Sequence, residues 1–173
     1  MAERTGVVTF KGKPITLIGP EMKAGEKAPD VELTDNNMGS AKLSSYKGNV
    51  LVIASVPSLD TPVCDLETKR FNDAAKELGD SVKIVTVSMD LPFAQARWCV
   101  AAHAKNVNTL SDYKNKDFGK AYGTLIKELQ LLSRAVFVVD ANGTIKYVQY
   151  VKEITEQPNF DEILSQIKTL TKK

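Results

Sequence analysis

The alternation of apolar and polar stretches along the chain predicts a βαβ unit in its first half. Residues 50–56 are a continuous apolar run, which is typical of a strand covered on both faces, and Pro57 ends it. A helix with apolar residues one turn apart is predicted from near Thr61 until Gly79 stops it. Residues 82–88 predict a second strand, and the intervening helix makes the two strands parallel.

The second half of the chain predicts further helices and an antiparallel hairpin. The alanine-rich residues 93–105 and the short segment 118–122 are predicted to be helical, and a final helix opens near residue 159. Strands over 135–139 and 145–151 flank the turn signal Asn-Gly. The N-terminus adds a small hairpin, with strands over residues 7–10 and 15–18, and residues 19–49 are expected to be mostly loop.

This order of elements predicts an α/β protein with a thioredoxin-like fold. Its features are a mixed central sheet flanked by helices and an N-terminal β-hairpin extension. A chain of 173 residues without repeats or a linker fits one domain, so residues 1–173 are expected to form a single one.

Composition and charge narrow the classes of function. A formal net charge of +2 is too small to favour nucleic acid or an anionic membrane, and no apolar run is long enough to span a bilayer. The N-terminus has no apolar signal segment, so a cytoplasmic location is expected. Two cysteines and the single His103 cannot build a tetrahedral zinc site, so metal binding is not favoured. The cysteines are therefore either buried bystanders or a redox pair.

The placement of Cys64 favours reactivity. Thr61 is a good N-cap and Pro62 suits the first helical position, which puts Cys64 at the third, where a capping box normally carries Glu. The free amides and positive end of the helix favour an anion there. Because Asp65 adjoins the site, a cation is wanted, and Arg134 before the strand 135–139 is the candidate. The alternative is that Arg134 only caps a strand end.

Two segments carry a resemblance to a known family. Residues 57–64 (PSLDTPVC) look like the active-site pattern of peroxiredoxins, and residues 90–99 (DLPFAQARWC) resemble the thiol peroxidases, a group of atypical two-cysteine peroxiredoxins. Residues 118–123 and 133–140 are similar to later segments of these proteins, so the resemblance covers essentially the whole chain. Departures are few, among them Trp98 where Phe is expected.

The resemblance implies a role for each matching residue. Cys64 would be the peroxidatic cysteine that attacks the hydroperoxide and becomes a sulfenic acid, and Cys99 the resolving cysteine that closes an intramolecular disulfide on it. Thr61 would hydrogen-bond the sulfur and the substrate, Arg134 would hold the thiolate and the peroxide, and Pro57 would shield the site from water. The family further implies a homodimer, no metal or organic cofactor, and recycling by thioredoxin.

A preference for alkyl hydroperoxides and a local rearrangement before disulfide formation are also expected. Several apolar residues are candidates for lining an approach that favours alkyl hydroperoxides over hydrogen peroxide, although each could equally belong to the core: Leu59, Val63, Phe93, Trp98 and Leu125. A disulfide needs Cα atoms within about 7 Å. Because Cys64 lies in the first turn of one helix and Cys99 is expected well inside another, residues 61–65 are expected to unwind and part of the helix 93–105 to shift.

Two other readings remain open. A thiol-disulfide exchange protein or redox sensor could use the same cysteine pair, but the Cys-x-x-Cys motif usual for that chemistry is missing from the sequence. A non-catalytic interaction module on a thioredoxin-like scaffold is also conceivable, because fold does not imply function. His103 shares a helix face with Cys99 but is left out of the site.

Overall fold

The chain builds one large mixed sheet with helices on both faces and a smaller sheet beside it. A computed structural model describes residues 1–171. Within these residues the order of elements is β1 (Glu3–Phe10), β2 (Lys13–Ile18), β3 (Glu32–Thr34), β4 (Ser40–Lys42), β5 (Val50–Ser55), α1 (Pro62–Leu78), β6 (Val82–Ser88), α2 (Pro92–Ala101), β7 (Asn108–Ser111), α3 (Asp117–Tyr122), β8 (Leu125–Ile126), β9 (Ala135–Val139), β10 (Ile145–Tyr150) and α4 (Phe160–Thr171). No helix in this part of the chain is long and apolar enough to cross a membrane.

The large sheet has the strand order β10-β9-β5-β6-β7-β3-β4. Its centre is parallel, because β5 pairs with β6 and β6 with β7 in the same direction. The strands on both flanks are antiparallel. The predicted βαβ unit and the predicted hairpin over β9 and β10 are therefore confirmed.

The continuous apolar run of β5 is explained by two cores. Leu51 and Ile53 face a core that also contains Phe118 of α3. Val52 and Ala54 point to the opposite face, where α1 and α4 pack on the sheet. Every residue of β5 is buried, so alternation of apolar and polar residues has no place in it.

Three strands of the large sheet were not predicted. β3 and β4 lie within the region expected to be mostly loop, and β7 lies between the predicted helices α2 and α3. Each strand has only three or four residues, and polar side chains interrupt them. Such short segments carry too few residues for a period of two to be recognised.

The N-terminal hairpin is confirmed and belongs to a separate sheet. β1 and β2 pair antiparallel, and β8 adds a third strand to β2. The three strands close over a small core that contains Val8, Leu17 and Ile126.

Helix α2 ends four residues earlier than predicted. His103 adopts a left-handed conformation with φ of 53°, which stops the helix after Ala101. The amide of His103 donates to the carbonyl of Val100, and the amide of Ala104 donates to the carbonyl of Cys99. This pair of bonds is a Schellman motif, which usually places Gly where this chain has His103.

Candidate active site

The candidate site lies at the carboxyl ends of the parallel strands. The loop 56–61 after β5 leads into α1, and residues 89–91 connect β6 to α2. Ligands of open α/β sheets bind outside this edge, since loops and helix starts converge there. The two cysteines that are predicted to react lie on the two helices that begin at this edge, Cys64 on α1 and Cys99 on α2.

Cys64 occupies the third position of α1, as predicted, and is fully buried. Its Sγ accepts a hydrogen bond from Nη2 of Arg134 at 3.1 Å. A cation and the start of a helix therefore act on the same sulfur atom, and both interact favourably with negative charge placed there.

Arg134 is placed directly before β9, and only 1% of its surface is exposed. Nη1 donates to Oε1 of Glu67 at 2.9 Å, and Nε donates to the carbonyl of Ile154 at 2.9 Å. Burial by itself would lower the pKa of the guanidinium, but the negative charges of Glu67 and Cys64 outweigh it, so the pKa of Arg134 is raised. The side chain is thus a fixed cation and not a strand cap.

Glu67 is a site residue that sequence reasoning missed. It lies one helical turn after Cys64, and the pKa of its carboxyl is raised to about 7 by burial, although Arg134 opposes that effect. Oε1 is bound to Arg134, whereas Oε2 has no hydrogen-bond partner within residues 1–171. The signal that could have found it is the spacing of three residues from Cys64, which places both side chains on one helix face.

Thr61 and Pro57 frame the loop that leads to Cys64. Thr61 has the extended backbone of an N-cap, but its Oγ1 donates to the carbonyl of Ser58 at 2.9 Å instead of capping the helix. The expected side-chain cap is therefore wrong, and within residues 1–171 only Arg134 hydrogen-bonds the sulfur of Cys64. Pro57 is buried at the end of β5.

Asp90 is a second residue that sequence reasoning did not single out. One carboxylate oxygen accepts from Oγ of Ser58 at 2.6 Å, and the other accepts from the amide of Leu59 at 2.8 Å. Asp90 follows β6 and thereby fixes the loop that precedes α1. The loop conformation is held from the neighbouring strand and cannot be inferred from its own residues.

Cys99 lies in the last turn of α2 and not well inside the helix as expected. It is partly buried, and its sulfur lies 3.3 Å from Oγ1 of Thr109 on β7. Nδ2 of Asn36 is 3.8 Å from the same sulfur. The neighbours of Cys99 are thus neutral, and His103 serves the helix end described above.

The two cysteines are free thiols on different helices, and Cys99 packs against the cluster that contains Cys64 while its sulfur contacts a different strand of the sheet. Ala135, which follows Arg134, pairs with Ser55, and Ser55 pairs with Val87. Val87 pairs with Leu110, which follows Thr109. The anchors of the two sulfurs are therefore three strand spacings apart, or about 14 Å.

The apolar candidates separate into two groups. Leu59 and Trp98 are buried in the cluster that contains Cys64. Val63 is partly buried beside them in sequence, and Phe93 is largely exposed on α2. Leu125 packs in the core of the large sheet, so the structure does not bring it to the Cys64 cluster. No group of three metal-ligating side chains occurs in the described part of the chain.

Comparisons with known proteins show the family to which the chain belongs. Residues 23–164 match the family described as Redoxin. The chain is 49% identical to a thiol peroxidase of Bacillus subtilis over 165 residues, which cover 95% of this chain and 98% of that protein. A peroxiredoxin-like protein from Aquifex aeolicus superposes with a TM-score of 0.89 at 45% identity, covering 96% of this chain and 97% of that one. A thiol peroxidase from Chromobacterium violaceum has a TM-score of 0.84 at 23% identity, covers 94% of this chain and 95% of its own, and supports the fold alone.

The thioredoxin-like fold is thereby confirmed, and fold and site together define a peroxiredoxin-type enzyme. The chain belongs to the redoxin family and, within it, to the thiol peroxidases. Membership of this family makes it a thiol-dependent peroxidase and does not favour the thiol-disulfide exchange reading.

Proposed function

We propose that the protein reduces hydroperoxides through a cycle in which Cys64 is oxidised and Cys99 resolves it. The thiolate of Cys64 attacks the terminal oxygen of ROOH and becomes a sulfenic acid, and the alkoxide that leaves is protonated to the alcohol. The single observation that carries this proposal is the 3.1 Å hydrogen bond from buried Arg134 to the sulfur of Cys64.

Arg134 has further capacity for the reaction. A guanidinium carries five N–H donors, and three are used by Cys64, Glu67 and the Ile154 carbonyl. A remaining N–H can point at the peroxide oxygens, where negative charge develops as the O–O bond breaks. Fixed donors in a buried site stabilise such charge more than water does.

Thr61 and Pro57 complete the proposed site. The Oγ1 of Thr61 is bound to the Ser58 carbonyl in the reduced protein, and rotation about one bond would direct it to the peroxide. Pro57 has no N–H to offer and is buried, so it excludes water beside the reacting sulfur. A Thr61→Ser variant should retain the rate of peroxide reduction, and Thr61→Val should lose most of it.

In the second step the sulfenic acid is converted to a disulfide. The Cys99 sulfur attacks Cys64–SOH, a disulfide forms and water leaves. In the reduced protein the sulfur of Cys64 is bound to Arg134 and that of Cys99 contacts Thr109, so residues 61–65 must unwind or the end of α2 must move before this step.

We propose alkyl hydroperoxides as preferred substrates, with hydrogen peroxide also reduced. The support is the apolar surroundings of the site, in which Leu59 and Trp98 pack with Cys64 and Val63 and Phe93 lie at the surface. Phe93→Ala should lower kcat/KM for cumene hydroperoxide several-fold and leave the value for hydrogen peroxide unchanged. Equal losses on both peroxides would contradict a substrate-binding role for Phe93.

We further propose that thioredoxin reduces the disulfide, that the protein is a homodimer and that it is located in the cytoplasm. A disulfide formed in each turnover needs a dithiol reductant, and thioredoxin is kept reduced in the cytoplasm. A second copy of the chain would cover the large apolar side chains exposed on α1 and before or within α2, which are Leu66, Leu91, Phe93 and Val100. Sedimentation at several concentrations tests the dimer directly.

The activity is tested by following peroxide consumption with thioredoxin, thioredoxin reductase and NADPH. Wild type should consume cumene hydroperoxide continuously, Cys64→Ser should consume none, and Cys99→Ser should stop with thioredoxin as the reductant. A disulfide exchange protein would instead reduce a test disulfide and leave the peroxide untouched. Thioredoxin fails as the partner if dithiothreitol supports turnover and thioredoxin does not.

A further inference from the structure

One hydrogen bond joins the helices that carry the two cysteines. Nε1 of Trp98 on α2 donates to Oδ1 of Asp65 on α1 at 2.7 Å. Asp65 directly follows Cys64, and Trp98 directly precedes Cys99. The contact therefore lies beside both sulfur atoms although it uses neither.

Both partners of this bond are held in place. Trp98 is 8% exposed and packs in the cluster around Cys64. The other oxygen of Asp65 is bound to Nζ of Lys69 at 2.8 Å, so the carboxylate is fixed from two sides. A hydrogen bond to a charged acceptor is stronger than one between neutral groups, and this one is partly buried.

The same bond maintains an arrangement in which the two sulfurs face different partners. Neighbouring residues on a helix point about 100° apart, so Asp65 and Trp98 can meet while Cys64 faces Arg134 and Cys99 faces Thr109. The backbone positions next to those partners lie three strand spacings apart across the sheet, or about 14 Å. Both cysteines are free, and a disulfide has Cβ atoms only about 4 Å apart, so each sulfur must leave its present partner before the bond can form.

We propose that the Asp65–Trp98 hydrogen bond is a positioning contact that holds the reduced arrangement and must break before Cys99 reaches oxidised Cys64. This inference rests on the proposed cycle. The step it controls is Cys64–SOH plus Cys99–SH giving the disulfide and water. The competing step is oxidation of the sulfenic acid by a second peroxide, which gives a sulfinic acid and releases the alcohol or water.

The contact thereby sets how the sulfenic acid is divided between two fates. While Trp98 stays bound to Asp65, Cys99 is kept away and a second peroxide has time to react. Once the bond is broken, the disulfide protects Cys64 from further oxidation. Weakening the bond should speed disulfide formation and make the protein resistant to inactivation by excess peroxide.

The experiment removes each partner in turn. Asp65→Ala deletes the acceptor, Trp98→Phe deletes the donor and keeps an aromatic ring, and a double variant combines them. Asp73→Ala is the matched control, because Asp73 is a largely exposed carboxylate on the same helix and pairs only within α1. Each reduced protein is mixed with cumene hydroperoxide and quenched. Mass spectrometry then quantifies sulfenic acid, disulfide and sulfinic acid separately.

The expected result is a changed ratio of the two steps. Disulfide formation should become about tenfold faster in Asp65→Ala and in Trp98→Phe, a size typical of losing one hydrogen bond to a charged group. The peroxide concentration that converts half of the protein to the sulfinic acid should rise by about the same factor. The double variant should gain no more than either single variant, and Asp73→Ala should behave as wild type.

Trp98 supplies a direct spectroscopic readout, because it is the only tryptophan of the chain. Its emission in the wild type should shift towards longer wavelength at the rate of disulfide formation, as the indole loses its carboxylate partner and its burial. Asp65→Asn, which keeps an uncharged acceptor of the same shape, should show an intermediate rate. It also serves as the folded variant if Asp65→Ala is unstable.

Two outcomes would separate failure of this inference from failure of the cycle. If sulfenic acid and disulfide form in wild type and their rates are unchanged in Asp65→Asn, Asp65→Ala and Trp98→Phe, the positioning role is overturned and the cycle stands. If the emission of Trp98 is identical in the reduced and disulfide forms, the positioning role is likewise overturned. If wild type forms neither sulfenic acid nor disulfide, the proposed function itself fails.

Discussion

The two cysteines of this chain occupy opposite ends of two helices. Cys64 is the third residue of α1, and Cys99 is the third residue from the end of α2. The start of a helix favours a nearby negative charge and its end disfavours one, so the two sulfurs lie in opposite electrostatic surroundings. This difference supports the proposed division of roles, in which Cys64 attacks the peroxide and Cys99 acts later.

Their neighbours sharpen the contrast. Cys64 is fully buried against the charged Arg134, whereas Cys99 is only partly buried and touches the neutral groups of Thr109 and Asn36. Exposure alone would select Cys99 as the reactive residue. The charge beside the sulfur, and not its accessibility, therefore distinguishes Cys64, the proposed attacking cysteine, from Cys99.

The largest expected effect comes from removing the positive charge of Arg134, which distinguishes the surroundings of Cys64 from those of Cys99. Arg134→Met should lower the second-order rate of Cys64 oxidation by about a hundredfold or more, as loss of a fixed donor to developing negative charge does elsewhere. It also leaves buried Glu67 without its cation, so the free energy of unfolding should fall by about 3 kcal/mol. Stopped-flow kinetics with cumene hydroperoxide and urea unfolding measure the two effects.

Arg97→Met is the matched control, because Arg97 is an exposed arginine on α2. It should react with peroxide as fast as wild type and unfold at the same urea concentration. If Arg134→Met reacts as fast as this control, the guanidinium does not distinguish Cys64 from Cys99.

The second prediction concerns Glu67, which competes with Cys64 for the same cation. Glu67→Gln removes one of two acids that share Arg134, so the guanidinium should stabilise the thiolate of Cys64 more strongly. The second-order rate of Cys64 oxidation by cumene hydroperoxide at neutral pH should therefore rise. Exposed Glu77 lies on the same helix, and Glu77→Gln should leave this rate unchanged.

The same substitution tests the burial of Glu67 through stability. Because its pKa is raised from 4.5 to about 7 in the folded protein, Glu67 contributes stability that is complete below about pH 4.5 and is lost as the pH rises through about 7. Glu67→Gln does not titrate, so between pH 5 and pH 8 the difference in unfolding free energy should change in its favour by about 2 kcal/mol. A difference that stays constant with pH would contradict a carboxyl that titrates near neutrality.

The smallest expected effect concerns the surroundings of Cys99. Thr109→Val keeps the shape of the side chain and removes the hydroxyl that contacts the sulfur of Cys99. The rate of disulfide formation should change by a few-fold, and the rate of Cys64 oxidation should not change. Thr169→Val on α4 serves as the control, and an effect of Thr109→Val confined to the first step would show that the two sites are not independent.

The long, continuously apolar elements could be predicted from the sequence, and the short ones could not. β6 and β9 have the predicted bounds because burial on both faces demands apolar residues throughout. The four-residue β7 exists because β6 and β3 supply its hydrogen bonds, which is information from distant parts of the chain. The end of α2 was misplaced because His103, not Gly, takes the left-handed position.

In the candidate site, too, the features set by neighbouring residues could be predicted, and the contacts between distant residues could not. The position of Cys64 at the start of α1 follows from its neighbours Thr61 and Pro62, which are local signals. Its pairing with Arg134 joins residues 70 positions apart, and spacing left Arg134 as a possible strand cap until the family resemblance was considered. The contact of Asp65 with Trp98 depends on how two helices pack, and local patterns do not specify that.

The most direct test of the contrast between the two cysteines is a single turnover followed by mass. Reduced wild type, Cys64→Ser and Cys99→Ser are each mixed with one equivalent of cumene hydroperoxide, quenched within a second and weighed. Wild type should lose two hydrogens, Cys99→Ser should gain one oxygen on Cys64, and Cys64→Ser should remain unmodified. Oxidation of Cys99 in the Cys64→Ser variant at the wild-type rate would contradict the assignment of Cys64 as the attacking residue.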